Sequence, residues 1–172
     1  MSFNDIKVIK NPGTAYLFET DDRTTTSATY TIKAGEPVKQ WSTEEFLVIL
    51  EDGDPEISTD KLVGIAKKES TETSTANGKV EVVTIIPMST VLRGDATTST
   101  NVDTVAEILA LKNNWVTFDV SSSNFTIDEN ETSDPNVHGL MILDGDPTDK
   151  TLDVIVHANA TIAAPLIGQT MD

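Results

Sequence analysis

From residue 28 onward the chain repeats one pattern: a short run rich in Val, Ile, Leu and Thr, closed by Gly, Pro, Asn or Asp. Tyr30-Thr31-Ile32-Lys33 alternates between apolar and polar positions and meets Ala34-Gly35-Glu36-Pro37, a turn. Residues 46–50 are continuously apolar and end at Asp52-Gly53-Asp54-Pro55, and Leu62-Val63-Gly64-Ile65-Ala66 is a second run of buried-strand type. A polar loop over 71–76 leads to Asn77-Gly78, a hairpin signal, and then to a run over 80–86 that stops at Pro87. Further strands are expected over 115–120, over Phe125-Thr126-Ile127, over 140–143 and, as the longest, over 152–162. Strands this short between turn residues predict a mainly β fold, an antiparallel β-sandwich or barrel.

One segment breaks the period. Val105, Ile108 and Leu109 form an apolar stripe at helical spacing. Thr104 and Glu107 in front of it fit a capping box, in which hydroxyl and carboxylate each take a free backbone N–H at the helix start. Asn113-Asn114 supplies the stop. A helix of about 104–112 is too short to stand alone, so it is expected to pack on a sheet.

The first thirty residues are patchier. Phe3, Ile6, Val8 and Ile9 precede the breaker Asn11-Pro12-Gly13; Tyr16-Leu17-Phe18 comes next, then a polar run over 20–26. Apolar patches between polar stretches suit either an arm that docks on a partner or an edge strand of the same domain. The resulting domain plan is an N-terminal arm over 1–30 and a β-rich domain over 31–172, with a possible subdivision near 113.

Charge narrows the partners. With 28 acidic against 12 basic residues the net charge is −16, and residues 113–172 hold ten acids against Lys150 alone. Binding a phosphate backbone depends on Lys and Arg displacing counterions, so nucleic acid and anionic membrane surfaces are poor partners. There is no cysteine for disulfide or thiolate chemistry. No run of 18 apolar residues occurs, and MSFNDIKVIK does not resemble a secretion signal, which points to synthesis in a cytoplasm. The 25 threonines suit strand faces turned to water.

Few motifs carry chemistry. Leu47-Val48-Ile49-Leu50-Glu51-Asp52-Gly53-Asp54-Pro55 is echoed by Leu140-Met141-Ile142-Leu143-Asp144-Gly145-Asp146-Pro147. Asp52, Asp54 and Asp60, or Asp144, Asp146 and Asp149, could offer oxygens to calcium, yet neither segment has the order of an EF-hand loop, and Asp-Gly favours turns in any case. Arg93-Gly94-Asp95 reads as a turn after Val91-Leu92. His138 and His157 are the only histidines and fall in separate strand regions; no nucleophile motif or phosphate loop accompanies them. The expectation is therefore a chain that is not an enzyme, with no cofactor and no metal.

Three stretches carry a resemblance. Thr31-Ile32-Lys33-Ala34-Gly35-Glu36-Pro37-Val38, Lys61-Leu62-Val63-Gly64-Ile65-Ala66 and Asn77-Gly78-Lys79-Val80-Glu81-Val82-Val83 resemble, in this order, segments of the decoration or cement proteins of tailed-bacteriophage heads; residues 88–96 are similar to the next segment of such proteins. The resemblance spans residues 31–96. It implies a β-rich protein on the capsid exterior, often a homotrimer, that clamps neighbouring major capsid subunits without catalysis. The location implied is the virion, after synthesis in the host cytoplasm. The residues expected to touch the capsid are Phe3, Ile6, Val8, Tyr16, Leu17 and Phe18, with Trp41 a second candidate for which a core role is favoured. The alternative is an acidic β-sandwich that binds calcium or carbohydrate through its Asp-Gly-Asp-Pro loops.

Overall fold

The computed structural model describes residues 6–20, 30–40, 47–57, 61–73, 78–121, 124–131, 134 and 136–161. Phe3, Trp41 and Asp60 lie outside the described residues. The strands are β1 (Lys7–Lys10), β2 (Ala15–Thr20), β3 (Tyr30–Ile32), β4 (Pro37–Gln40), β5 (Leu47–Ile49), β6 (Leu62–Ala66), β7 (Ser70–Glu72), β8 (Gly78–Thr84), β9 (Val91–Asp95), β10 (Trp115–Ser121), β11 (Asn124–Asp128), β12 (Leu140–Asp146) and β13 (Thr151–Val156), with one α-helix, α1 (Val105–Leu111). The chain is mainly β with antiparallel sheets, as its alternating runs predict.

Six strands pair antiparallel in the order β1-β9-β13-β12-β10-β11. Five more, in the order β2-β5-β4-β6-β8, coil round until β8 returns to β2 along a full antiparallel ladder from Ala15↔Val83 to Thr20↔Gly78. The seam between β2 and β5 is a single parallel pair, Thr20↔Leu47, so this is a coiled sheet and not an evenly bonded barrel. β3 and β7 form a separate two-stranded ribbon, and Ile32 from it joins the interior of the coil.

Two apolar layers follow from strand alternation. Inside the coil lie Phe18, Val38, Val63, Val80 and Val82. The second layer lies between the coil and the six-stranded sheet and joins Leu50, Leu62 and Ile65 to Leu92, Phe118 and Leu140. Strand β6 serves both, because its ladder with β4 skips Val63 and breaks the alternation there: Leu62 and Ile65 face the sheet while Val63 and Ala66 face the coil. Burial on both faces is why its five residues read as an unbroken apolar run. Gly64 is needed there, because a Cβ would collide with the Val83 carbonyl oxygen and stand 2.6 Å from Val82 Cγ1.

Several segments differ from the sequence expectation, each for a visible reason. Residues 6–20 do not form a free arm: β1 is an edge strand on β9, β2 is a member of the coil, and between them Gly13 N–H donates to the Thr84 carbonyl at 3.0 Å. Arg93-Gly94-Asp95 is strand and not turn, because Ile6 packs onto Gly94 where a side chain would stand. The two Asp-Gly-Asp-Pro echoes diverge. The first is a turn, with Gly53 at φ +86°, whereas β12 runs on through Asp144-Gly145-Asp146 after a bulge and turns only later, with Lys150 at φ 60°. Strand β13 stops at Val156 because His157 Nδ1 accepts the Asn159 N–H at 3.0 Å and caps a short 3₁₀ turn.

The helix has the expected capping box: Glu107 N–H donates to Thr104 Oγ1 at 3.3 Å and Thr104 N–H to Glu107 Oε2 at 2.9 Å. Its stripe is only partly buried. Ile108 packs over Gly145, whereas Val105 and Leu109 are 64% and 57% exposed. At seven residues the helix rests on one apolar contact row.

Since Gly64 is pressed against a backbone carbonyl, which cannot rotate away, Gly64→Ala is expected to destabilise the protein by about 2–3 kcal/mol. Urea denaturation measures this; an unchanged midpoint would show that β6 and β8 can separate at no cost.

Candidate functional site

The most connected polar assembly is the turn after β5. Its Asp54 carboxylate is buried against Lys39 of β4, with Lys39 Nζ to Asp54 Oδ2 at 2.9 Å and side-chain exposures of 3% and 7%. The same oxygen accepts the Glu51 N–H at 2.8 Å. Glu51 Oε2 lies 3.8 Å from Lys39 Nζ while most of its side chain meets solvent. The turn also bonds to the other sheet: Gly53 N–H to Phe118 O at 3.0 Å, Phe118 N–H to Asp54 O at 2.7 Å, and Val120 N–H to Asp52 Oδ1 at 3.2 Å. Lys39 reaches this spot because Val38 faces into the coil, which turns the next residue out beside Leu62, its neighbour across the ladder.

Four of the carboxylates that could have offered oxygens to calcium have other partners, Asp52 through the Val120 N–H among them. Asp54 holds Lys39, Asp144 lies 3.1 Å from Lys112 Nζ, and Asp146 Oδ1 accepts the N–H groups of Thr148 at 2.8 Å and Asp149 at 3.3 Å. Lys112 and then the Gly145 N–H lower the Asp144 pKa, and the two turn N–H groups lower that of Asp146. Among the described residues no group of three or more His, Cys, Asp or Glu is placed to hold a metal. Arg93 is engaged by Asp153, its partner across the β9–β13 ladder, through two bonds at 2.6 and 2.9 Å. His157 caps its turn and meets Trp115 edge-on at 5.1 Å, while the backbone of His138 forms an isolated antiparallel β-bridge with that of Glu56.

Of the residues expected to touch a capsid, Ile6 and Phe18 are in the core, at 1% and 4% exposure, and Val8 packs partly against it. Tyr16 and Leu17 are exposed at 43% and 56%. They stand at the start of β2, where both faces of the strand meet solvent before Phe18 turns into the coil. Beside β1 an open cleft of about 350 Å³ is lined by Ile6, Val8, Ile65 and Val83, with Lys7 and Lys67 on its walls. Lys67 is paired with Glu81 at 2.7 Å. The exposure of Val105 and Leu109 was hidden in the sequence, since their spacing matches that of a buried stripe.

No protein-family model, curated protein or solved structure matches the chain. Among the described residues no helix is long and apolar enough to cross a membrane.

Asp119 of β10 provides a titrating group. Burial, then the hydrogen-bonded carboxyl of Asp52 and the charge of Asp128, raises its pKa. The folded chain thus holds this proton more tightly than the unfolded chain, so this group's contribution to stability falls as pH rises from the ordinary Asp range through the raised value. Asp119→Asn should remove that fall, raising the melting temperature at pH 7 and leaving it unchanged at pH 3. Melting curves at the two pH values test this; an equal shift at both would assign the effect to packing instead of ionisation.

Proposed function

We propose that this chain is a decoration protein of a tailed-bacteriophage head, bound to the outside of the shell through contacts with the major capsid protein. One observation carries the reading. The three stretches that resemble cement proteins are separated in sequence, yet residues 31–38 run from the end of β3 into the first half of β4, residues 61–66 contain β6 and residues 77–83 contain most of β8, and β4, β6 and β8 pair side by side in the coiled sheet. Segments that resemble one family in order and also build one contiguous unit support a shared architecture.

The physical features agree with surface binding. The work is non-covalent: binding stabilises the shell by mass action, by an amount that grows with the logarithm of the free concentration of the chain once that exceeds its Kd. Tyr16 and Leu17 are the contact residues assigned here, being exposed apolar side chains on a strand held firmly by β8. Ile6 and Phe18 act indirectly by fixing that strand and its neighbour. The surplus of carboxylates suits an outward surface that repels polyanions. Self-association as a homotrimer belongs to the same proposal.

The test uses shells assembled from the major capsid protein encoded in the same genome. The purified chain is expected to sediment with these shells saturably and to raise their melting temperature. Replacing Tyr16 and Leu17 together by Ser should weaken binding about tenfold or more while the free chain melts as before. Absence of co-sedimentation, or binding untouched by the double substitution, would overturn the assignment.

A further inference from the structure

We propose that Lys39 and Asp54 form an intramolecular isopeptide bond, making this pair a site of self-catalysed cross-linking. The inference is independent of the capsid reading and rests on the pair's geometry. An amide forms from an amine and a carboxyl only when the two are held in contact, water is excluded, and protons can move between them. Nζ and Oδ2 are already at 2.9 Å, and the two side chains are 3% and 7% exposed. Preorganised contact of this kind replaces the entropic cost that makes the same condensation slow between free molecules.

The surroundings supply the remaining parts. Lys39 stands on β4 beside Leu62, which belongs to the apolar layer between the sheets. In such a layer two separated charges are costly to desolvate, so the neutral amine and neutral carboxyl become accessible by moving one proton from Nζ to the carboxylate. The lone pair of Nζ then attacks Asp54 Cγ. Oδ2, the oxygen in contact with Nζ, takes that first proton and becomes the hydroxyl that departs, while the Glu51 N–H, 2.8 Å from Oδ2, orients the carboxyl for attack. The second proton passes from nitrogen to the departing hydroxyl; Glu51, whose exposed side chain brings Oε2 to 3.8 Å from Nζ, is the base that would carry it after moving into hydrogen-bond distance. The ammonium and carboxylate thus become one amide and one water: a C–N bond forms, a C–O bond breaks, and no oxidant, reductant or metal takes part.

The consequence is mechanical. Lys39 and Asp54 are 15 residues apart, on two sides of β5, so the bond would close a loop around that strand and resist its removal. Strand β5 also forms the weak seam of the coil, the single pair Thr20↔Leu47, which is where such a staple is most useful.

Intact-mass spectrometry of the full, folded chain tests the proposal. The expected result is a mass lower by one water than that of the sequence, with a branched peptide joining the Lys39 and Asp54 fragments after proteolysis. Lys39→Arg keeps the buried cation, and therefore a partner for Asp54, but cannot form the bond; it should show the full mass. A full mass in the parent after prolonged incubation at neutral pH overturns the proposal. So does a water loss that persists in Lys39→Arg, which would place it at an Asp-Gly succinimide such as Asp52-Gly53.

Discussion

Lys39 and Asp54, buried in contact at the boundary between two sheets, constrain how those sheets meet. Asp54 faces Lys39 of the coiled sheet with its side chain and Phe118 of the six-stranded sheet with its carbonyl. Moving either sheet would pull against the Lys39–Asp54 contact or strand a backbone group of the turn away from water, and an unsatisfied buried polar group costs about 1–3 kcal/mol. Apolar packing between Leu50, Leu62 and Phe118 is tolerant of small sliding; the polar turn is not. The apolar layer therefore drives the association, and the turn selects one registration of it.

The same economy of cations shapes the exterior. Lys39, Lys67, Lys68, Arg93, Lys112 and Lys150 each lie within ion-pair distance of a carboxylate, which is half of the 12 basic residues. What remains unbalanced is acidic, so the long-range field is that of the surplus carboxylates. Copies of the chain repel at a distance, and close assembly calls for screening by salt or for a partner of opposite sign.

Much of the fold was legible because strand alternation and turn chemistry are local. Leu62-Val63-Gly64-Ile65-Ala66 is a strand over its whole predicted length, and Thr104 with Glu107 caps the helix as their spacing requires. Long-range choices were not legible. Whether Arg93-Gly94-Asp95 turns or continues depends on Ile6, eighty-odd positions earlier, filling the space above Gly94. Two nearly identical Asp-Gly-Asp-Pro segments take opposite conformations because one meets Lys39 and β10 while the other is paired to β13. For the candidate site the gap was wider. Apolar residues at 6, 8, 16, 17 and 18 are alike on paper, and only the register of β1 and β2 separates the core residues from the exposed ones. Nothing in the neighbourhood of Lys39 in sequence distinguishes it from a solvated lysine, since its burial comes from the partner strands on either side.

The strand order has a bearing on how the chain reaches this state during synthesis. The last of the described strands, β13, lies at the middle of the six-stranded sheet, between β9 and β12. On a ribosome that emits the chain from its N-terminus, β9 waits with an open edge for some sixty residues before Thr151–Val156 arrives to pair with it. The coiled sheet, whose strands all lie before residue 85, faces no such delay. Assembly is then a two-stage process, with non-local pairing the slow stage, and the exposed edge of β9 in the interval is the point at which a nascent chain would be captured by a chaperone or by another copy.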